Sequence, residues 1–445
     1  MTGPLANPSF RRLFTAQICS LVGVGLLTVA LSLAAYRIGG VAAGGKVLGL
    51  LLALKMVAYV LLAPLAETLL AGVSRKRAMV GLDLGRMLIL LPMVFTTQTW
   101  HVAALAFAFF VLAAGFTPLF QSVIPDVLPD EEDYTRALAW SRIAYTLEAV
   151  LSPVIAAAVL NLVTAEGLFI AAALAFAGSV AALLATRFPP RGEAARKGPF
   201  VQRAARGMWI YGRTPRLRGL FLLNFALSLA MAWVLVNSVV YAGARLDDAE
   251  RFYPILMAFY GLGAASGAVI VPRLLKRVSE RTAMLAGAFG FAAVGAGFSL
   301  LPTPAFALMA AAWIAFGATS SLVLTPGGLV ITRSASQSDR AAVFAAQFSL
   351  SHAGWLVAYP LSGWLAAALP LETALLILSV TCALFAALAT RVWPADDPLE
   401  RPHSHPELPD NHPHLLNVPA KGAQHRHVHA YRIDEIHPVW MDRAG

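Results

Sequence analysis

The sequence predicts an all-α membrane protein with twelve transmembrane helices arranged as two six-helix halves. Three observations carry this: an apolar composition, twelve apolar stretches of membrane-spanning length, and a basic segment that divides them six and six. Hydrophobic residues make up 58% and charged residues 13% of the 445 positions, and the mean hydropathy is +0.68. Water-soluble domains hold roughly 45–50% apolar and about 25% charged residues. Closed β-barrels also cross membranes, but their strands alternate apolar with polar residues. Unbroken apolar runs such as Val47 to Leu54 require helices instead.

A helix needs ~20 residues to cross a hydrocarbon core of ~30 Å. In chain order the stretches that meet this length are 13–36, 47–71, 78–98, 101–124, 139–163, 165–186, 219–242, 253–275, 282–301, 304–331, 342–369 and 371–391. The first lacks a small-residue cleavage site and is followed by further spans, so it reads as a helix and not as a signal peptide. Cys19 and Cys382 fall inside apolar helices and read as packing residues. Between spans six and seven lies a run with nine Arg or Lys residues from Arg187 to Arg218 against the single Glu193. The domains are therefore 1–187, a basic linker 188–218, 219–391, and a tail 392–445.

Lys and Arg concentrate on cytoplasmic segments of membrane proteins. With the N-terminus inside, the inner segments hold Arg11, Arg12, Arg75, Lys76, Arg77, Arg136, Arg142, the linker cluster, Arg273, Lys276, Arg277, Arg281, Arg333, Arg340 and Arg391. The outer ones hold Arg37, Lys46, Arg245 and Arg251. Both termini are thus expected in the cytoplasm. The same bias accounts for the net charge of +10 and pI near 9.9, so no nucleic-acid partner is expected.

The halves repeat weakly. Thr117–Pro118 in span four matches Thr325–Pro326 in span ten, and both helices are expected to break at the proline. Laying Arg136 on Arg340 (340 − 136 = 204) places Glu148 on His352 at the same offset (352 − 148 = 204). Spans five and eleven are thereby equivalent members of a six-plus-six duplication.

Two six-helix halves, inner termini, a basic central loop and basic turns after helices two and eight resemble the major facilitator superfamily over about residues 8–391. The loop after helix two departs from the family pattern, with Glu67 where Gly is usual and Ala71 where Asp is usual, ahead of Arg75, Lys76 and Arg77. The helix-five antiporter motif is present in degenerate form as Ser152, Pro153 and Ala156 to Ala158. The segment Phe116 to Pro153, the stretch from Ser351 to Trp364 and a His-rich tail are similar to bacterial nickel-resistance exporters. The resemblance implies a monomeric, multi-pass protein of the bacterial plasma membrane, neither an enzyme nor the holder of a cofactor. Its expected partners are a divalent metal ion, protons as the coupling ion, and the bilayer.

Ionisable groups inside spans are costly and mark pathways or structural pairs. Glu148 and His352 both fall ~14–16 Å from the cytoplasmic edge, near the midplane where secondary transporters bind substrate. A carboxylate and an imidazole suit a borderline divalent ion, and either can exchange a proton. The alternative is structural: Glu148 pairs with Arg142 or Lys55, and His352 bonds a carbonyl. Lys55, in the helix that flanks span eleven in the superfamily, would repel a metal at His352 but could neutralise Glu148 in the empty site. Tyr59, Asn237 and Trp355 are further pathway candidates. Asp83 and Arg86, three apart on one helix face, suit a structural ion pair. Glu67, Arg136, Arg142 and Arg340 complete the expected cytoplasmic gate network.

Eight of the ten histidines lie in the tail, at His403, His405, His412, His414, His425, His427, His429 and His437. Prolines at 402, 406, 409, 413 and 419 keep this segment extended, and in extended chain residues two apart project to one side. His403/His405, His412/His414 and His425/His427/His429 can then pair imidazoles, the commonest transition-metal ligands. Flexible, multi-site ion buffering is the expectation, with Tyr431, Ile433, Ile436 and Trp440 able to dock the end of the tail on the cytoplasmic face. The sequence thus points to proton-coupled export of a divalent metal, nickel first and cobalt or zinc next. Its rivals are export of an organic solute such as a drug or siderophore, with the tail as metal buffer, and a non-transporting membrane metal sensor.

Overall fold

The computed structural model describes residues 3–69, 73–128, 130–188, 200–301, 304–336, 339–398, 400–405, 427–434 and 436–440. The side chains of 61–69, 200–204 and 340–341, and of several positions between 117 and 150, lie outside the described set. Glu67, Arg136, Arg142 and Arg340 are among these, so their expected gate contacts fall outside the described residues.

The described residues from Pro8 to Val392 are helical almost throughout. Helix α1 (Pro8–Leu69) is 62 residues long, about 93 Å if straight, far beyond one membrane crossing. It reverses at Gly40, whose φ of 58° and ψ of −157° are open only to glycine. The two arms fold back together, bringing Gly44 against the Tyr36 backbone. They correspond to the first two expected spans. The ten-residue polar connection anticipated between them is instead helical except at Gly40, because its small residues need no loop to turn.

Four helices follow: α2 (Arg75–Met93), α3 (Thr99–Val127), α4 (Glu131–Val159) and α5 (Gly167–Ala185). The Asp130 carboxylate caps α4 by accepting the Asp133 N–H at 2.9 Å, which starts this helix eight residues before the expected span. The anticipated break at Thr117–Pro118 does not occur, since α3 runs through both. Within the linker, α6 (Phe200–Arg213) is an amphipathic helix packed on the start of α12. Helices α7 (Pro215–Leu246), α8 (Ala249–Leu274), α9 (Glu280–Ser299), α10 (Phe306–Leu324), α11 (Gly327–Ser334), α12 (Arg340–Ala368) and α13 (Leu371–Val392) follow. Here the expected break is present, with Thr325–Pro326 separating α10 from α11. Among the described residues, eight helices are long and apolar enough to cross a membrane.

Helices α1 to α5 form one packed set and α7 to α13 another, joined by α1 against α12 and α7, and by α4 against α8. Leu88, Leu174, Val269 and Leu384 are each more than half exposed on the outside of the bundle, a liability in water and the correct surface in lipid. One end of the bundle carries Arg75 to Arg77, α6 and the tail, and is called the basic end below. The far end carries Arg37, Arg245 and Arg251.

The far end is tightly closed. A Cβ on Gly363 would overlap the Gly45 backbone, and one on Gly45 would overlap Asn237, so the two sets meet main chain to main chain. Arg37 pairs with Glu166 of its own set and, at 3.0 Å, with Glu250 of the other. Tyr253 donates to Ser32 Oγ at 2.9 Å. Within the first set, Arg86 forms an ion pair with Asp83 inside the helix bundle. Both are buried, Ser179 donates to Asp83, and the Arg86 guanidinium lies 4.4 Å and 4.7 Å from the ring centres of Phe116 and Phe176.

Candidate functional site

Glu148 sits on α4 beside Gly25, about halfway along the first arm of α1. A Cβ at Gly25 would overlap Ser152, so glycine is what allows α4 to bring Glu148 and Ser152 this close. Ser152 Oγ donates to Glu148 Oε1 at 3.4 Å. Lys55, on the second arm, lies 5.6 Å from the Tyr59 ring centre and 5.9 Å from that of Phe110. Its ammonium is within electrostatic reach of both Glu148 and His352, so it stands as the cation shared by the two. On α12, His352 Nδ1 donates to the Phe348 carbonyl at 2.7 Å. A carbonyl can only accept, which assigns the proton to Nδ1 and leaves Nε2 as a lone-pair donor. The ring lies 3.9 Å from Phe348 and 5.9 Å from Tyr59, centre to centre.

Glu148 and His352 thus share Lys55 as a neighbour but do not form a metal cage. Among the described residues, the only groups of three or more potential ligands within reach of one ion are in the tail. Trp355 stacks on Tyr359 at 4.8 Å and borders a cavity of about 310 Å³. That cavity lies in the basic half of the second set, between α7, α11 and α12, and its walls include Phe221, Phe225, Phe348, Asn224 and Gln347. Asn237, expected on the pathway, is instead fully buried in the far-end seam, where it donates to Ser362 Oγ at 3.0 Å. There Ser362 satisfies the Nδ2 group, whereas Oδ1 is buried with no hydrogen-bond partner among the described residues.

The tail is where the ligands converge. Strand β1 (Glu400–His403) pairs antiparallel with β2 (His427–Ala430), placing His403 opposite His427. The chain then loops back so that His437 joins them. His403, His405, His427, His429 and His437 pack with neighbouring ring centres 4.4 to 5.4 Å apart. They form two overlapping triads, His403/His405/His437 and His403/His427/His429, each able to hold an ion. For these five, the rings that were expected along a loose, extended segment are packed together. His412, His414 and His425 lie outside the described residues.

Outer hydrogen bonds fix the tautomers. His403 Nδ1 donates to the Arg401 carbonyl and His429 Nδ1 to the Ala430 carbonyl, both at 2.9 Å. His437 Nδ1 donates to Asp434 Oδ1 at 2.9 Å. The Nε2 atoms of His403 and His437 meet at 3.1 Å inside the cluster, and outer hydrogen bonds of this kind are how ligating histidines are oriented. Burial lowers the His403 pKa to about 4 and also lowers that of His429, which favours neutral rings able to ligate at neutral pH. Burial alone would raise Asp434, but its bonds from His437 hold it below the usual carboxylate range.

The tail is fastened to the basic end by contacts that spacing along the chain could not reveal. Arg216, the second residue of α7, is buried and bonds Asp397 Oδ1 at 3.0 Å. The guanidinium groups of Arg216 and Arg401 both lie against Trp440, 5.0 and 4.8 Å from its ring centre. Arg213 of α6 donates to the Pro438 carbonyl at 3.1 Å. Tyr431 and Ile433 are buried, so the aromatic residues at the end of the tail do dock. Helix α6 is also tied to α12 by the Arg206–Asp339 ion pair and by a hydrogen bond from Tyr211 to Gln347.

The family described as the Major Facilitator Superfamily matches residues 13–304 and 221–428. No curated protein sequence matches the chain. Among solved structures, a bacterial homolog of the human lysosomal transporter Spinster, inward-facing and unoccupied, superposes with a TM-score of 0.70 at 15% identity, covering 87% of this chain and 98% of that one. The nucleoside transporter NupG gives 0.69 at 13% identity, with 86% and 98% covered. A POT family transporter in complex with 5-aminolevulinic acid gives 0.69 at 12%, with 86% and 96% covered. At these identities the likeness concerns the fold.

Proposed function

Because the chain belongs to the major facilitator superfamily, and so is a multi-pass membrane transporter, we propose that it exports a divalent transition metal by proton antiport with alternating access. Nickel is the first candidate and cobalt or zinc the next. One observation carries the choice of cargo: five histidines from three tail segments form two triads that share His403 at the basic end. The supporting frame is a pair of six-helix halves, 1–187 and 219–391, twelve spans in all, with both termini and the basic end in the cytoplasm of a bacterial cell. A sealed far end and a cavity in the basic half are then the inward-facing state. Glu148 and His352 would take metal and proton in turn, and Lys55 would balance Glu148 when the site is empty.

The cavity walls favour a second reading. Phe221, Phe225, Phe348 and Trp355 around about 310 Å³ suit an organic solute better than a hydrated cation, with the tail centre then acting beside transport. Metal accumulation in cells with and without the protein, across nickel, cobalt, zinc and an organic-drug panel, separates the two. Lower accumulation of a metal supports the proposal, whereas tolerance of drugs with unchanged metal content removes it.

Deleting residues 403–445 tests the tail's place in that scheme. Its ligands lie outside the helical pathway, so the half-maximal metal concentration for export is expected to rise on the order of 10-fold through lost local concentration. The rate at saturating metal should persist. Loss at every concentration, at normal protein abundance, would place the tail within the translocation machinery.

A further inference from the structure

We infer that the tail is a metal-operated arm. An ion held by His403, His405 and His437 closes the tail on itself and docks it on the start of α7 and on the linker helix α6, and loss of the ion releases it. This role rests on the reading of the triad as a metal site and adds what the ion does there.

The tail is too small to keep this shape by itself. Among its described residues the regular structure is β1 with β2, four residues each, and a lone two-stranded ribbon is marginal in water. Folding units below about 70 residues commonly need a metal or another staple. The triad supplies one. His403 and His405 lie 34 and 32 positions before His437, and one ligand atom from each comes within 4.8 Å of the others. A shared ion therefore closes a long loop, which lowers the entropy of the released chain. The triad of His403, His427 and His429 joins strands that are already paired, so an ion there constrains less.

What the loop closes on is the docking surface. Tyr431 packs its ring on those of His403 and His437, at 5.1 and 4.8 Å between centres, and on Trp440 at 5.6 Å. Trp440, just past His437, meets the guanidinium groups of Arg216 and Arg401. Asp397, just before His403, accepts from Arg216. Both ends of the closed loop thus lead to Arg216, and Arg213 bonds the Pro438 carbonyl beside it. Helix α6 carries the contact inward. Its Gly207 meets the Ala342 backbone of α12 with no room for a Cβ, and its Tyr211 donates to Gln347, on the cavity wall. Phe221, one turn past Arg216 on α7, is also a wall. An ion that binds only the docked tail shifts the balance toward docking, so the tail stands beside the cavity when loaded and comes away when empty.

Hydrogen–deuterium exchange of the purified full-length protein, with and without nickel, tests this. At nickel about 100 times its dissociation constant the released fraction falls about 100-fold. Amides of 400–405 and 427–440 are expected to exchange at least about 10-fold more slowly, and those of 206–218 to slow in step. His403→Ala/His437→Ala should abolish both effects. Trp440→Ala should still take up nickel, about 5-fold more weakly because docking and binding are reciprocal, and should lose the protection at 206–218. Trp440→Phe, which keeps a ring for the guanidinium groups, should restore it. Nickel that binds but protects the tail alone, or a Trp440→Ala protein that matches the parent, overturns the arm and leaves the metal-cargo reading standing. Protection that survives His403→Ala/His437→Ala places the ion elsewhere and overturns it too. Failure to bind nickel at all removes the arm together with the observation on which the choice of cargo rests.

Discussion

Cells carrying Glu148→Gln or His352→Ala are expected to lose metal resistance to the level of cells without the protein, at wild-type abundance of folded transporter. Gln keeps the shape of Glu148 and can still accept from Ser152, at 3.4 Å in the native protein, so the variant removes charge and proton exchange alone. Removing the imidazole at 352 takes away the Nε2 donor left open by the bond to Phe348. The competing role predicts something else. If Glu148 only balances Lys55, its neutralisation strands a cation within the bundle, at a cost of about 3–5 kcal/mol. Abundance and thermal melting should then fall together with activity. Full export by either variant removes that residue from the mechanism.

The largest loss of stability is expected at Arg86→Met. Asp83 and Arg86 are buried together, with the guanidinium against Phe116 and Phe176. Removing the cation leaves the Asp83 carboxylate in an apolar interior, for about 3–5 kcal/mol. The double variant Asp83→Leu/Arg86→Met should recover most of that, since an apolar pair of similar volume demands no solvation. Melting of the purified protein in detergent reads both. An Arg86→Met protein as stable as the parent would show that the pair is not a structural strut.

How much of this was legible in the sequence depended on the range of the physics involved. Spanning helices come from local apolar runs, and Asp83 with Arg86 from spacing on one helix, so both could be read directly. The reversal at Gly40 was hidden because a single glycine replaced an entire loop, and Pro118 misled because its helix continues where that at Pro326 stops. Asn237 looked like a pathway residue because burial against Ser362 depends on a partner 125 residues away. In the tail, the rule that residues two apart share a side correctly grouped His427 with His429. It could not bring them to His403, which requires strand pairing across more than twenty residues, nor place His437 beside that group. Arg216 looked like one more linker charge until Asp397 and Trp440 closed over it.

The glycine seam at the far end has a mechanical consequence. Where Gly45 and Gly363 touch, no side chain separates the two sets, so they can roll on each other there as a fulcrum with almost no padding. With a membrane core of ~30 Å as the lever arm, a turn of about 10° at that fulcrum shifts the opposite ends by about 5 Å, the scale of a partly hydrated ion. The Arg37 bond to Glu250 spans the same seam, so under the proposed alternating access it would serve as a latch: prying the fulcrum apart to expose the far side would open it in the same stroke.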